Sequence, residues 1–219
     1  MGEPIDAKLP VATVIGGRHG SLRPLEASDA VTLYRLSHDE NVAAAWAEMK
    51  VGPFADETAF AAHVDVLVSD PKRAFFAVID LRGAVLGWLC LMEARAAHQV
   101  VELGYVLFTS SMQRTTLASE ALYLVMRHVF EGLGYRRLEW TCTAENNRSR
   151  IAADRLGFTY EGTLREGLLL KGLARDICMY SMLSSEWPAC RAVMEEWLEP
   201  ANFLDGRQLR SMTEIRARR

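Results

Sequence analysis

Gln113-Arg114-Thr115-Thr116-Leu117-Ala118 stands between an apolar run over 100–108 and an amphipathic pattern over 118–133. The first reads as a strand and the second as a helix, so the polar stretch is a strand–turn–helix junction. The first backbone N–H groups of a helix lack partners within it and carry partial positive charge. That makes a seat for phosphate or pyrophosphate. Arg114 adds a full charge in the same turn. Thr115, Thr116 and Ser119 also suit plain helix capping. Such a junction is common in proteins that mix strands and helices. It gains weight from a second polar group downstream: Asn146-Asn147-Arg148-Ser149, then Arg155-Leu156-Gly157-Phe158 and Tyr160-Glu161-Gly162.

The elements that would position these groups follow from periodicity. A short strand is expected over 21–24, then a helix through Ala30, Leu33, Tyr34 and Leu36 with Ser28 as its N-cap. Further helices are expected over 41–48 and 56–68. Strands follow over 74–80, 85–93 and 100–108, the first two joined at Arg82-Gly83. After the helix over 118–133 come a strand over 137–142 and a helix over 149–156 ended by Gly157. A hairpin over 160–170 and 175–182 turns at Lys171-Gly172, and a last helix runs over 186–198 to Pro200. Helices first, then a meander, then αβαββ describe a mixed α+β domain rather than a doubly wound sheet. The expected division is a lead-in over 1–19, one domain over 20–198, and an Arg-rich tail over 199–219 that reads as solvated.

Composition narrows the function. The chain has 219 residues, half of them hydrophobic, which is ample for one core. A formal net charge of −3 speaks against nucleic acid as a partner. No apolar run approaches a membrane span, and the first ten residues are not a secretory signal, so a cytoplasmic protein is expected. Cys90, Cys142, Cys178 and Cys190 are widely spaced and read as buried reduced thiols. The five histidines show no metal-ligand spacing, and no metal site is expected.

The order of Leu22-Arg23-Pro24-Leu25 with Asp29, Glu102-Leu103-Gly104-Tyr105, Gln113 to Ala118, Asn146-x-x-Ser149, Leu156-Gly157-Phe158, Glu161-Gly162 and Arg175-Asp176 resembles one family. It is that of the GNAT acyl-CoA-dependent N-acetyltransferases, in the branch related to ribosomal-protein N-terminal acetyltransferases, and it covers about 20–198. The resemblance implies a mostly antiparallel central sheet flanked by helices and splayed in the middle for acyl-CoA. It implies acetyl-CoA as cosubstrate and an amine as acceptor. The family's phosphate signature is Gln/Arg-x-x-Gly-x-Gly/Ala. Here Gln113 and Ala118 match, with Arg114, Thr115 and Leu117 between, but Thr116 replaces the central glycine. A side chain there either crowds the phosphate or offers it a hydroxyl. Backbone groups of Val106, Leu107 and Phe108 are expected to pair with the pantetheine arm as an added strand. Asn146 matches the pantetheine-binding Asn, with Ser149 beside it.

Amide formation needs a proton taken from the amine, a polarised thioester carbonyl, alignment, and a proton for the leaving thiolate. Glu102 is the expected base, with Glu93, Glu139, Glu145 and Glu161 as weaker candidates. A backbone N–H near Val106 or Leu107 is the expected oxyanion donor. Relatives often carry an acidic Tyr on the helix after Asn146; none lies there in this chain, so Ser149 takes the role, with Tyr160 and Tyr180 as alternatives. Cys142 lacks a His partner and is a poor nucleophile candidate. Trp46, Phe54 and Trp88 are expected either in the acceptor pocket or in the core. Two other readings stand beside the enzyme. One is a degenerate acyl-CoA-binding or protein-interaction module, motivated by Thr116. The other is a homodimer built on the terminal helix with Trp187 and Trp197.

Overall fold

The computed structural model describes residues 7–39 and 46–219. The helix expected over 41–48 lies mostly outside them, although 46–47 are helical. The described chain runs β1 (Ile15–Gly16), β2 (Gly20–Pro24), α1 (Ala30–Ser37), α2 (Glu57–Val68), β3 (Ala74–Asp80), β4 (Val85–Arg95) and β5 (Val100–Phe108). It continues with α3 (Thr116–Arg127), β6 (Arg137–Thr143), α4 (Asn147–Leu156), β7 (Thr159–Leu170), β8 (Leu173–Leu183) and α5 (Trp187–Leu198). Two short strands, β9 (Phe203–Leu204) and β10 (Arg207–Gln208), precede α6 (Met212–Arg216). No helix among the described residues is long and apolar enough to cross a membrane.

β1 to β8 form one sheet in the order β1-β2-β3-β4-β5-β6-β8-β7. Pairs are antiparallel except β5 with β6, which are parallel and touch over only three rungs, Val100↔Arg137, Val101↔Leu138 and Glu102↔Glu139. Alternation along the strands sends side chains to two cores. Val101 and Leu103 of β5, with Leu138 and Trp140 of β6, face α3 and α5. Leu107 joins Phe75, Trp88 and Cys90 on the opposite face, against α1 and α2. Each fully buried Leu or Phe in these layers contributes about 1.5–3 kcal/mol.

Local chemistry accounts for the element ends and for several departures from the sequence reading. Ser28 does not cap α1. It lies in a 3₁₀ turn over Ala27–Asp29, where Glu26 and Asp29 cap each other reciprocally. Asp29 is buried and held by both arms of Arg23 at 2.8 and 2.6 Å, a bidentate pair that seats the turn on β2. α3 starts at Thr116 and ends early, because 128–132 widen into a π turn. Gly157 closes α4 at φ 98°, the left-handed position where glycine costs least. All four cysteines are free and buried.

The Arg-rich end is a folded appendage rather than a solvated tail. Met212 and Ile215 are buried, and Arg216 donates to the Asp154 and Arg155 carbonyls, satisfying the orphan C-terminal end of α4. Buried Asn202 stitches the segment: its amide donates to the Trp197 and Arg210 carbonyls, and its oxygen accepts from the Arg210 N–H. Trp187 and Trp197 are also spent internally, Trp187 on Phe130 and Trp197 on Phe203, so neither offers a face to a second subunit. Asn202→Ala strips one buried and two half-buried backbone groups of partners, at about 1–3 kcal/mol for the buried one and less for the others. Limited proteolysis of this variant is expected to release 203–219 while the rest of the domain resists; an unchanged digest would contradict the stitching role.

Candidate active site

β5 and β6 part after the Glu102↔Glu139 rung. From there Leu103–Phe108 and Trp140–Thr143 run on without each other, which leaves the facing edge of β5 with unpaired backbone groups. Both strands point the same way and each is followed by a helix. The N-termini of α3 and α4 therefore lie at the same open end of the gap, each with partial positive charge. One further irregularity shapes the lip. Trp88 pairs with Leu107 and Cys90 with Gly104, so Leu89 opposes two residues, Tyr105 and Val106. Tyr105 sits at φ 48°, and its carbonyl is held by the Trp88 indole at 2.9 Å. This bulge kinks β5 where the oxyanion donor is expected.

The loop from β5 to α3 carries the residues expected to meet an anion. Thr109 accepts from the N–H groups of Met112 and Gln113, and the Gln113 amide reaches back to the Phe108 carbonyl at 2.8 Å. Arg114 adopts φ 61°, is exposed, and makes no ion pair among the described residues. Thr115 caps α3 by accepting from the Ala118 N–H, which leaves the N–H groups of Thr116 and Leu117 without partners among the described residues. Thr116 is the first residue of α3, and its half-buried side chain makes no hydrogen bond among the described residues. Across the gap Asn146 caps α4 through the Ser149 N–H at 3.1 Å. The Ser149 hydroxyl accepts from the Trp140 indole at 2.8 Å and contacts the Cys142 thiol.

Glu102 sits in the crotch where the strands part, 8% exposed. Its Oε1 accepts from the Thr141 hydroxyl at 2.6 Å, a bond thrown across the gap from β5 to β6. Burial pushes the Glu102 carboxyl up, opposed by this hydrogen bond. Glu102 points to the α1–α2 face, whereas Ser149 lies on the α3–α5 face. The two predicted proton-handling groups thus flank the gap from opposite sides.

The weaker candidates are otherwise engaged. Glu139 is bound by Arg95 and Arg137. Glu161 is gripped by Arg137 and Ser181, and the Arg137 guanidinium holds its carboxyl down at about 2. Glu145 is exposed and pairs with Arg175 at 3.5 Å. Glu93 is exposed at the end of β4. Tyr160 is exposed and bonded to Thr163, and Tyr180 is buried beside Arg150. Burial raises the Cys142 thiol, which keeps it protonated and poorly nucleophilic. Trp46 and Trp88 are fully buried core, with their indoles on the Ser37 and Tyr105 carbonyls. Phe54 is half-buried and stacks on His63 at 4.9 Å.

The sequence reading missed Thr141. It missed Tyr105, whose hydroxyl lies 3.1 Å from His63 and is pushed up to about 12 by burial. It also missed two bridges over the acceptor side. Thr143 donates to Glu48 at 2.7 Å, and Lys171 at the β7–β8 turn donates to the Trp46 carbonyl at 2.6 Å. A usable signal was present: Arg137, Glu139, Thr141 and Thr143 are polar at every second position of β6, alternating with Leu138, Trp140 and Cys142.

Comparisons with known proteins agree with this geometry. Residues 21–159 match the model of the acetyltransferase (GNAT) domain family. A GCN5-related N-acetyltransferase from Brucella melitensis superposes with a TM-score of 0.94 at 36% identity, covering 97% of each chain. YdaF of Bacillus subtilis (strain 168), which carries a provisional ribosomal N-acetyltransferase name, is 24% identical over 77% of this chain and 93% of its own. The spermidine N(1)-acetyltransferase of Escherichia coli (strain K12) is 26% identical over 71% of this chain and 81% of its own. The family match spans more than half of the sequence and the 36%-identical structure covers nearly all of it, and the chain belongs to the GNAT family of N-acetyltransferases.

Proposed function

We propose that the chain transfers an acetyl group from acetyl-CoA to a primary amine by direct attack within a ternary complex. The parting of β5 and β6 carries this reading, because it leaves a strand edge that only a ligand can complete. The pyrophosphate sits on the Thr116 and Leu117 N–H groups beside Arg114. The arm lies along Val106–Phe108 and reaches Asn146. Thr116 is accommodated at the first position of α3, where its hydroxyl adds a donor.

The amine nitrogen attacks the thioester carbon from the α1–α2 side. A C–N bond forms and the C–S bond breaks. The carbonyl oxygen takes up charge facing the backbone N–H groups at the Tyr105 bulge. The proton lost by nitrogen passes to Glu102, directly or through one water. The departing sulfur takes a proton on the α3–α5 side through the Ser149 hydroxyl, which recovers one from solvent water and whose oxygen accepts from the Trp140 indole. Small-molecule amines and protein N-termini both satisfy this chemistry; one relative is named a spermidine N(1)-acetyltransferase and the other a ribosomal N-acetyltransferase.

Two measurements test the assignment. Arg114→Glu places a negative charge at the pyrophosphate seat and is expected to weaken acetyl-CoA binding about tenfold or more by calorimetry. Unchanged affinity would remove the phosphate assignment. Glu102→Gln is expected to lower kcat about a hundredfold with spermidine or a short peptide as acceptor, with the dissociation constant for acetyl-CoA nearly unchanged. Full turnover by this variant would dismiss Glu102 as the base.

A further inference from the structure

Glu102 lies one rung before the gap, and its carboxylate must be carried forward to meet an amine. Two features do this. Gly104, two residues on and on the same face, has no side chain; a Cβ there would meet the Met92 methyl at 2.5 Å and Glu102 Oε1 at 3.4 Å. The carboxylate therefore lies over Gly104, toward the opening. Thr141 then fixes it, donating to Oε1 at 2.6 Å from the opposite lip. Thr141 is two residues beyond Glu139, the rung partner of Glu102, so the bond spans the strands where their backbones no longer pair. The second carboxylate oxygen, Oε2, has no partner among the described residues.

We propose that Thr141 is a positioning residue for acetyl transfer: its hydroxyl holds Glu102 across the parted strands with Oε2 presented to the acceptor. The proposal rests on the reading of Glu102 as the base. An oriented base is worth far more than a mobile one, because the reacting atoms must lie within hydrogen-bond reach in the transition state. The same bond favours the ionised form. Three other charged groups act on this carboxylate: Glu93 of β4 and Glu139 of β6 disfavour ionisation, and Lys50, after the Trp46 segment, favours it. Among the described residues, Thr141 is the one hydrogen-bond donor set against burial and the two neighbouring carboxylates.

The test uses Thr141→Val, which keeps shape and removes the donor, and Thr141→Ser, which keeps the donor. Thr141→Ala serves if the valine variant does not fold. The direct readout is the titration of the Glu102 carboxyl carbon by NMR in the full chain, its resonance assigned by loss in Glu102→Gln. Without the donor the charged form loses support, so the midpoint moves to higher pH, by about one unit. The acid limb of the kcat/KM profile with spermidine or a peptide acceptor is expected to move with it, while the serine variant stays near wild type. An unmoved midpoint in the valine and alanine variants would overturn the proposal and leave the base assignment intact. Full activity of Glu102→Gln would overturn both, because Thr141 would then position a carboxylate that takes no part in the reaction.

Discussion

Backbone hydrogen-bonding groups left unpaired in a sheet interior are costly, and the parting of β5 from β6 leaves a row of them in the middle of an eight-stranded sheet. The rest of the molecule holds that gap open. β5 is braced from one side by β4 over its whole length, and β6 from the other by β8 over Arg137–Thr143. α3 and α4 pack beneath, each locked by its own cap. The appendage after Glu199 adds Arg216 at the far end of α4, so the helix whose N-terminus borders the gap is fixed at both ends.

The gap also divides labour between the two faces of the sheet. Glu102, Thr141 and Thr143 look toward α1 and α2, the side we propose for the amine. Trp140, Cys142 and Ser149 look toward α3 and α5, the side we propose for the departing thiol. In that proposal, sheet alternation separates the group that takes a proton from the group that gives one. The Glu48–Thr143 and Lys171–Trp46 bonds tie the segment after residue 45 to the far lip, so the α1–α2 side of the gap is bounded by parts distant in sequence.

Much of this was legible in the chain. Gly157 ending α4, the turn at Lys171-Gly172, and the strands over 74–80 and 100–108 follow from local chemistry, and local chemistry decided them. The motif order carried the family. Ser28 misled because a buried Asp29 bound by Arg23 outweighs a serine's capping preference, and that pairing is tertiary. The Arg-rich end misled because its charge count hides Asn202, Met212 and Ile215, which anchor it. The three-rung limit of the β5–β6 ladder has no local signature, since nothing in the pattern of either strand marks where pairing stops. Thr141 stands out in the sequence only as one of the alternating polar residues of β6, and its partner Glu102 is tertiary.

The central claim is that the open edge of β5 is completed by the pantetheine arm. Amide hydrogen exchange with and without saturating acetyl-CoA addresses it most directly. The account predicts new protection at open-edge amides within 104–108, together with Thr116 and Leu117, and no change in β2 or β3. Saturable binding that leaves the β5 amides exchanging as before would contradict it.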